Sequence, residues 1–125
     1  MSERERLQRL LADEGSEDDV EKRLVELDDL EDEAAVDADA DLELLGTLSN
    51  ETRYSIVRLL VAANRELTVA ELDAVLGVSQ SAISHALRDL TDVGLVERRR
   101  KGTWRYYHDT DLAADLIAAL AALRE

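Results

Sequence analysis

Apolar residues recur every three or four positions along most of the chain, the spacing that places them on one face of an α-helix. From residue 42 onward this pattern predicts four helices, beginning near residue 42, at Ser49 or Asn50, at Thr68 and at Ser79. The cap residues are serine, threonine or asparagine, whose side chains accept hydrogen bonds from free backbone amides, and Glu71 follows Thr68 at the capping-box spacing. The core positions predicted for the last three helices are Ile56, Val57, Leu59, Leu60, Val61, Val69, Leu72, Val75, Leu76, Ala82, Ile83, Ala86, Leu87 and Leu90.

A different pattern follows these helices. The runs LVERRR and TWRYYH alternate valine, tryptophan or tyrosine with charged residues on either side of Lys101 and Gly102, which predicts a β-hairpin. Alternation also means that one pair of side chains should pack on the domain while the other faces outward. The two pairs are Trp104 with Tyr106, and Arg105 with Tyr107.

A last helix is predicted from about Asp111 to the C-terminus. The order of elements is therefore helix, helix, helix-turn-helix, hairpin, helix. This order predicts a mainly α fold with a small β-hairpin, a winged helix-turn-helix, over residues 42–125.

Residues 1–41 precede the winged helix as an acidic extension. Leucines and a valine at helical spacing predict two short amphipathic helices, the second capped by Ser16. From Glu31 to Asp41 the pattern dissolves into DEAAVDADAD, and runs of like charge with few apolar residues usually stay mobile. The extension is expected to be partly helical or mobile. It is either a solvated tail or a segment that binds a protein partner or extends a dimer.

The net charge of the chain is −14, and its acidic residues are unevenly distributed. Residues 1–41 hold 17 acidic and 5 basic side chains, whereas residues 42–125 hold 12 and 10, so most of the acidity lies in the extension. Thirteen of the cations are arginine. An acid-rich, lysine-poor composition of this kind resembles that of proteins from salt-accumulating halophiles.

The composition also bears on the compartment. The chain has no cysteine, and no apolar run approaches the roughly 20 residues that span a bilayer. Its N-terminus, MSERERLQRLL, lacks the apolar core of a signal peptide. We expect a soluble, cytoplasmic protein without a membrane partner.

The stretch TVAELDAVLGVSQSAISHALRDL has the layout of a helix-turn-helix. Gly77 permits the sharp turn, Val78 plugs the gap beneath it, and the second helix projects its first turns outward. Polar side chains on an exposed helix can simply solvate it, but these are also types that hydrogen-bond to bases and phosphates. The candidates for DNA contact on this recognition helix, at about residues 79–92, are Ser79, Gln80, Ser81, Ser84, His85 and Arg88.

The hairpin, at about residues 95–108, concentrates the positive charge of the domain. Such a finger can lie along a DNA backbone or minor groove and displace counterions from phosphates. The alternative is an edge strand that uses charge to avoid aggregation. The candidates for DNA contact on this wing are Arg98, Arg99, Arg100, Lys101, Thr103 and Arg105.

The segments LSNETRYSIVRLL, ELTVAEL, GVSQSAISHALRDLTDVGLVERRRKGTWRYYH and the final helix resemble the ArsR (ArsR/SmtB) family of winged-helix repressors. The resemblance covers roughly Leu42 to Leu123. It implies that the recognition-helix residues face an operator, that the wing arginines face its backbone, and that the first and last helices of the domain form a homodimer. The leucines expected at that interface are Leu42, Leu45, Leu48, Leu112, Leu116, Leu120 and Leu123.

Many members of that family release DNA when a metal or metalloid binds. Thr68 and Ala70 stand where the cysteines of one such site would be, and Ala122 stands where another would have a histidine. Without thiolate or well-placed imidazole ligands, we expect no metal site and no cofactor. No phosphate loop or nucleophile–base pair is present either, so we expect no enzyme activity and no catalytic residue.

These observations favour a sequence-specific, double-stranded-DNA-binding homodimer that regulates transcription, more as a repressor than as an activator. The alternative is a winged helix that binds proteins, with the acidic segment recruiting the partner. A third hypothesis is self-inhibition, in which the segment of net charge −12 competes with DNA for the basic wing.

Overall fold

The computed structural model describes residues 2–14 and 17–125. These residues form two compact units, and the boundary between the units along the chain lies between Asp39 and Ala40. Ser16, the expected cap of the second helix, lies outside the described residues. The helices are α1 (Glu3–Glu14), α2 (Glu17–Ala34), α3 (Ala38–Leu48), α4 (Glu51–Ala63), α5 (Val69–Leu76), α6 (Gln80–Asp92) and α7 (Asp111–Ala122), and the strands are β1 (Val96–Lys101) and β2 (Trp104–Asp109).

The first unit is a pair of helices with a small apolar contact. Helix α1 packs against α2, where Val20 is buried and Leu24 is half-buried. Leu10, Leu27 and Leu30 remain exposed. Two helices alone therefore leave part of their apolar surface in water.

The expectation that the chain loses its helical pattern from Glu31 to Asp41 is wrong. Helix α2 continues to Ala34, and α3 begins at Ala38 after a turn in which Asp37 is left-handed, with φ of 60°. Alanine and glutamate are good helix formers, and aspartates in the first turn of α3 suit the positive end of its dipole. Local helix propensity therefore outweighs the repulsion between like charges here.

The core of the second unit is aliphatic, with a single aromatic ring. Its fully buried centre joins α4, α5, α6 and β1, and α7 covers it through Ala113 and Ile117. Each fully buried Leu or Ile contributes about 1.5–3 kcal/mol to stability. The largest fully buried side chains are Ile56, Val57, Leu60, Leu72, Ile83, Leu87, Leu90, Leu95 and Val96.

Two predicted core residues, Val75 and Ala82, are exposed. Successive residues on α5 are about 100° apart around the helix axis. Residues 69 and 76 therefore lie about 40–60° to one side of the buried Leu72, whereas Val75 lies about 60° to the other side and outside the buried face. Ala82 lies in the first turn of α6, about 80° around the helix from Leu90. Leu59 and Val61 are only partly buried.

The predicted helix caps are confirmed. Asn50, rather than Ser49, accepts a hydrogen bond from the Arg53 amide at 3.0 Å and caps α4. Thr68 forms the complete capping box with Glu71 at the start of α5, and Ser79 caps α6. Thr110 caps α7 in the same way, so four short polar side chains fix where α4, α5, α6 and α7 begin.

The β-hairpin is present, but its turn lies one residue later than the sequence pattern suggests. Lys101 pairs with Trp104, so Gly102 and Thr103 form the two-residue loop. Gly102 has φ of +63°, and glycine with positive φ at the first loop position is typical of type II′ turns, which match the twist of the strands.

Within the described residues, no helix is both long and apolar enough to cross a membrane.

Candidate nucleic-acid interface

A left-handed glycine joins α5 to α6 and sets the helix-turn-helix. Gly77 has φ of +67°, and its amide donates to the carbonyl of Asp73 at 3.1 Å. Most residues with a Cβ would be strained in this conformation. Val78 packs against the core immediately afterwards, and the Ser79 cap then starts α6.

The outward face of α6 presents polar side chains, as the sequence pattern predicted. Ser79 accepts a hydrogen bond from the Ala82 amide at 3.1 Å, so its hydroxyl can still donate to a ligand. Nδ1 of His85 lies 3.4 Å from a guanidinium nitrogen of Arg88. The exposed residues of this face are Ser79, Gln80, Ser81, Ser84, His85 and Arg88.

The register of the hairpin separates its cations onto two faces. Residues directly opposite each other in an antiparallel pair share a face. Tyr107, which is buried, lies opposite Arg98, and Arg105 lies opposite Arg100. We call this the inner face, because Tyr107 packs into the core. The pair that packs on the domain is therefore Arg105 with Tyr107, although only the tyrosine is buried.

The outer face carries Arg99, Lys101, Trp104 and Tyr106. Nε of Arg99 lies 3.0 Å from both carboxylate oxygens of Glu66, and its guanidinium carbon lies 5.1 Å from the centre of the Tyr106 ring. Arg99 is thus held by contacts within the protein. Glu66 was not predicted as part of the site, because a pair separated by 33 residues leaves no local signal in a sequence.

Backbone hydrogen bonds fix the hairpin beside the helix-turn-helix. The Leu67 amide, just before α5, donates to the Tyr107 carbonyl at 2.8 Å, and the Tyr107 amide donates to the Leu67 carbonyl at 2.9 Å. At the other end, the Thr110 hydroxyl donates to the carbonyl of Gly94 at 2.7 Å. The wing is therefore attached to the residues that begin α5 and end α6.

The end of α6 is a Schellman motif, which turns the chain directly into β1. Gly94 has φ of +80° and its amide bonds to the carbonyl of Thr91, while the Leu95 amide bonds to that of Leu90. Leu90 and Leu95 are both fully buried, which supplies the apolar contact that usually accompanies this motif. The inner face of the hairpin consequently faces the second half of α6.

A cleft of about 300 Å³ lies between α6 and the inner face of the hairpin. Three arginines line it, one from the helix and two from the hairpin, and Asp92 is its one acidic residue. The sequence predicted the arginines but not the cleft, which depends on how the two elements pack. Its lining comprises Ser84, Leu87, Arg88, Thr91, Asp92, Arg98, Arg105 and Tyr107.

The remaining predicted wing residues lie near the tip of the hairpin. Thr103 occupies the turn and Lys101 pairs with Trp104, whose side chain is 62% exposed.

Among residues 2–14 and 17–125, no group of three or more histidines or acidic residues is placed to hold a metal ion.

The second unit also leaves leucines exposed away from this surface. Within residues 40–125, the exposed leucines are Leu42 and Leu45 on α3, Leu112 on α7, and Leu123, which caps α7. The other predicted interface residues, Leu48, Leu116 and Leu120, pack partly against the core of their own unit. Helices α3 and α7 therefore carry apolar surface that this single chain does not cover.

The chain is similar to known proteins over most of its length. A family model described as a helix-turn-helix domain matches residues 48–99. Over 128 aligned positions, covering 99% of both chains, the sequence is 47% identical to a protein of Halobacterium salinarum named as an arsenical resistance operon repressor, ArsR. The source of this relative agrees with the halophile-type composition.

Solved structures resemble this protein over about three quarters of its chain. One is a homodimeric winged helix-turn-helix DNA-binding domain of Mycobacterium bovis, described as a possible ArsR-family transcriptional regulator. It has a TM-score of 0.65 and 30% identity, over 74% of this chain and 85% of that one. Another is the transcriptional repressor BigR of Xylella fastidiosa, with a TM-score of 0.58 and 33% identity, over 77% and 90%.

Proposed function

The chain belongs to the ArsR family of winged helix-turn-helix transcriptional regulators, and from this membership we propose that it is a homodimeric, sequence-specific repressor that binds double-stranded DNA. The observation that carries the proposal is a single surface. On it, the exposed polar face of α6 adjoins the inner face of the hairpin, and arginines from both line one cleft.

In this proposal the first turns of α6 enter the major groove. A major groove about 12 Å wide admits one helix, and glutamine can form two hydrogen bonds to adenine there. Gln80, Ser81 and Ser84 are exposed at the start and middle of the helix. They would read base edges, while Ser79 and His85 would reach bases or phosphates beside them.

The hairpin would then lie against the DNA backbone or minor groove. Its inner-face arginines, Arg98, Arg100 and Arg105, would contact phosphates, together with Arg88 from α6. Lys101 and Thr103 at the tip would reach a neighbouring phosphate. Arg99 contributes less in this arrangement, because its guanidinium is already paired with Glu66.

A second copy would cover the exposed leucines of α3 and α7. The relative from Mycobacterium bovis is homodimeric, which supports this assignment. Two copies of α6 would then meet successive half-sites of an operator, about one turn of DNA apart.

The name of the Halobacterium relative refers to an arsenical resistance operon. This chain has no cysteine, and thiolates are the soft ligands that would hold an arsenical through sulfur. We therefore propose that any signal it senses is bound in another way.

Fluorescence anisotropy with duplexes from the DNA upstream of its own gene tests the DNA-binding proposal. We expect tighter binding to one of these duplexes than to scrambled DNA, and we expect the preference to persist at about 1 M KCl, where the Debye length is only about 3 Å. Equal binding to all duplexes at every salt concentration would exclude a sequence-specific regulator.

A second candidate function is recruitment of a protein by the acidic segment. The exposed Leu10, Leu27 and Leu30 favour it, because apolar side chains among carboxylates suit a partner that is basic and amphipathic. Repression by a chain that lacks residues 1–40 separates the two functions. A regulator that acts by occupying its operator keeps repression, whereas one that acts by recruitment loses it while still binding DNA.

A further inference from the structure

The cleft between α6 and the hairpin holds more positive charge than the chain itself neutralises. Arg98 and Arg105 make no hydrogen bond or ion pair with any of the described residues, and the side chain of Arg88 makes a hydrogen bond only with His85 among them. Asp92 lines the same cleft without an ion pair to any of the three. The cleft therefore has a net positive charge of about two and guanidinium donors that are free.

This lack of partners is not explained by a shortage of carboxylates. The chain has 29 acidic residues against 15 lysines and arginines. Arg99, the immediate neighbour of Arg98, pairs with Glu66 on the outer face, and Arg53 pairs with Asp89 of α6 at 3.6 Å. Arg53 and Arg99 thus find carboxylate partners, whereas the three arginines that line the cleft make no ion pair with a carboxylate of the described residues.

The hairpin also places two like charges opposite each other on its inner face. Arg100 and Arg105 are directly paired across the strands, and like charges in that position destabilise a sheet. An anion between the hairpin and α6 would relieve this repulsion. It would also supply acceptors for the free guanidinium groups.

We propose that this cleft binds a free divalent oxyanion of the phosphate or sulfate type, and that the bound anion competes with the DNA backbone for the same arginines. Guanidinium groups present paired N–H donors that match the oxygens of such anions. The Ser84 hydroxyl can add a further donor, whereas the Thr91 hydroxyl already donates to the Leu87 carbonyl at 2.7 Å. A volume of about 300 Å³ accommodates the anion with several waters, since one water occupies about 30 Å³ of liquid.

The competition rests on the proposed DNA-binding function, but the anion site does not. A ligand that binds only the DNA-free protein raises the apparent dissociation constant for DNA by a factor of one plus the ratio of the ligand concentration to its own dissociation constant. At ten times its dissociation constant the increase is about elevenfold. The protein would then respond to the concentration of a free oxyanion without any metal ligand.

The first experiment measures anion binding to the full-length protein without DNA. Potassium sulfate and potassium phosphate are titrated at constant ionic strength, with KCl as the balancing salt, while NMR follows the arginine Nε–H signals. We expect saturable shifts for Arg88, Arg98 and Arg105, and Arg98→Gln should weaken binding about tenfold. Arg99→Gln is the matched control, because it removes the same charge from the outer face of the same hairpin.

The second experiment repeats the titration with protein bound to its preferred duplex, using anisotropy. The proposal is supported if sulfate or phosphate releases more DNA than KCl does, and if this excess is lost in Arg98→Gln.

Specific DNA binding without saturable anion binding overturns the anion site and leaves the proposed function intact. Saturable anion binding by a protein that prefers no duplex supports the anion site and removes the proposed function instead. If Arg98→Gln and Arg99→Gln weaken anion binding equally, the proposed site is excluded, because the effect would then be one of overall charge.

Discussion

At the scale of single residues, the strand register decides what each cation of the wing can do. Arg98 and Arg99 are adjacent in sequence, yet one lines the cleft and the other is held by Glu66 and Tyr106. The block RRRK predicts a basic wing but treats its members as equivalent. The difference between them follows from pairing across the hairpin, which also involves residues far away in the sequence.

We predict that the double variant Arg98→Ala with Arg100→Ala weakens binding to specific and scrambled DNA by similar factors. Phosphate contacts carry no sequence information, so their loss affects both kinds of DNA alike. Loss of each contact should also reduce the slope of log K against log salt concentration by about one. Anisotropy titrations over a range of KCl concentrations measure both effects. Arg6→Ala, which removes an exposed charge from α1, should leave the slope unchanged, and a similar decrease there would assign the effect to net charge.

A different result is expected for Gln80→Ala. Gln80 is exposed in the first turn of α6, where a major-groove contact to a base would lie. Loss of such a contact should reduce the preference for specific over scrambled DNA by about 1–3 kcal/mol and leave the affinity for scrambled DNA almost unchanged. Competition between the two duplexes measures the preference directly. An unchanged preference would place base reading elsewhere on the helix.

At the scale of elements, the sequence predicted most successfully where the determinants are local. Asn50, Thr68 and Ser79 cap helices in the structure because a cap needs only a side-chain oxygen and an amide two or three residues later. The exposed face of α6 followed from helical periodicity in the same way. The hairpin turn was misplaced by one residue, because alternation alone fits either register and the left-handed Gly102 decides between them. The cleft could not be predicted, since it arises from the angle between two elements.

The capping box of α5 gives a prediction for stability. This helix has only eight residues, so Thr68→Ala should lower the free energy of unfolding by about 1 kcal/mol. Hydrogen bonds from the backbone amide of Thr68, and to a smaller extent from its side chain and Arg65, hold the pKa of Glu71 below its ordinary value. The box therefore stabilises the fold above the ordinary pKa of glutamate, and this contribution is lost as the pH falls through the lowered value.

Urea unfolding at neutral and at acid pH measures both effects. The difference between wild type and Thr68→Ala should shrink on acidification, because the hydrogen bond that the Thr68 hydroxyl donates to the Glu71 carboxylate, which the variant lacks, weakens when Glu71 is protonated. Thr68→Ser retains the hydroxyl and should behave like wild type. A difference that does not change with pH would show that the cap acts without the Glu71 carboxylate.

At the scale of the whole molecule, the two units differ in charge but share exposed apolar residues. The acidic residues concentrate in the first unit, whereas exposed leucines occur in both units. The charge division can be read directly from the sequence. Composition did not predict that the acidic segment is almost wholly helical, because net charge describes repulsion and omits the propensity of its alanines and glutamates.

Leu45→Glu with Leu112→Glu should convert a dimer into a monomer. Both side chains are exposed on α3 and α7, and a charge placed in an apolar interface would be buried without a partner. Sedimentation equilibrium should show about half the wild-type mass, and DNA affinity should fall because each monomer meets only one half-site. Leu27→Glu, on α2, is the control for adding charge at an exposed leucine. A dimer that persists in the double variant would exclude this interface.

Removal of residues 1–40 should tighten DNA binding at low salt and have little effect at high salt. The segment contributes most of the negative charge, so tethering it to a DNA-binding unit repels the phosphate backbone and competes for the same arginines. The Debye length is about 10 Å at 0.1 M salt and about 3 Å at 1 M, so this repulsion is screened at the higher concentration. Anisotropy titrations of the full-length and shortened chains at both concentrations test this, with circular dichroism to confirm that the second unit remains folded. A gain in affinity that persists at about 1 M would instead indicate a direct contact between the segment and the DNA-binding surface. Equal affinities at both concentrations would show that the acidic helices act only on solubility or on a protein partner.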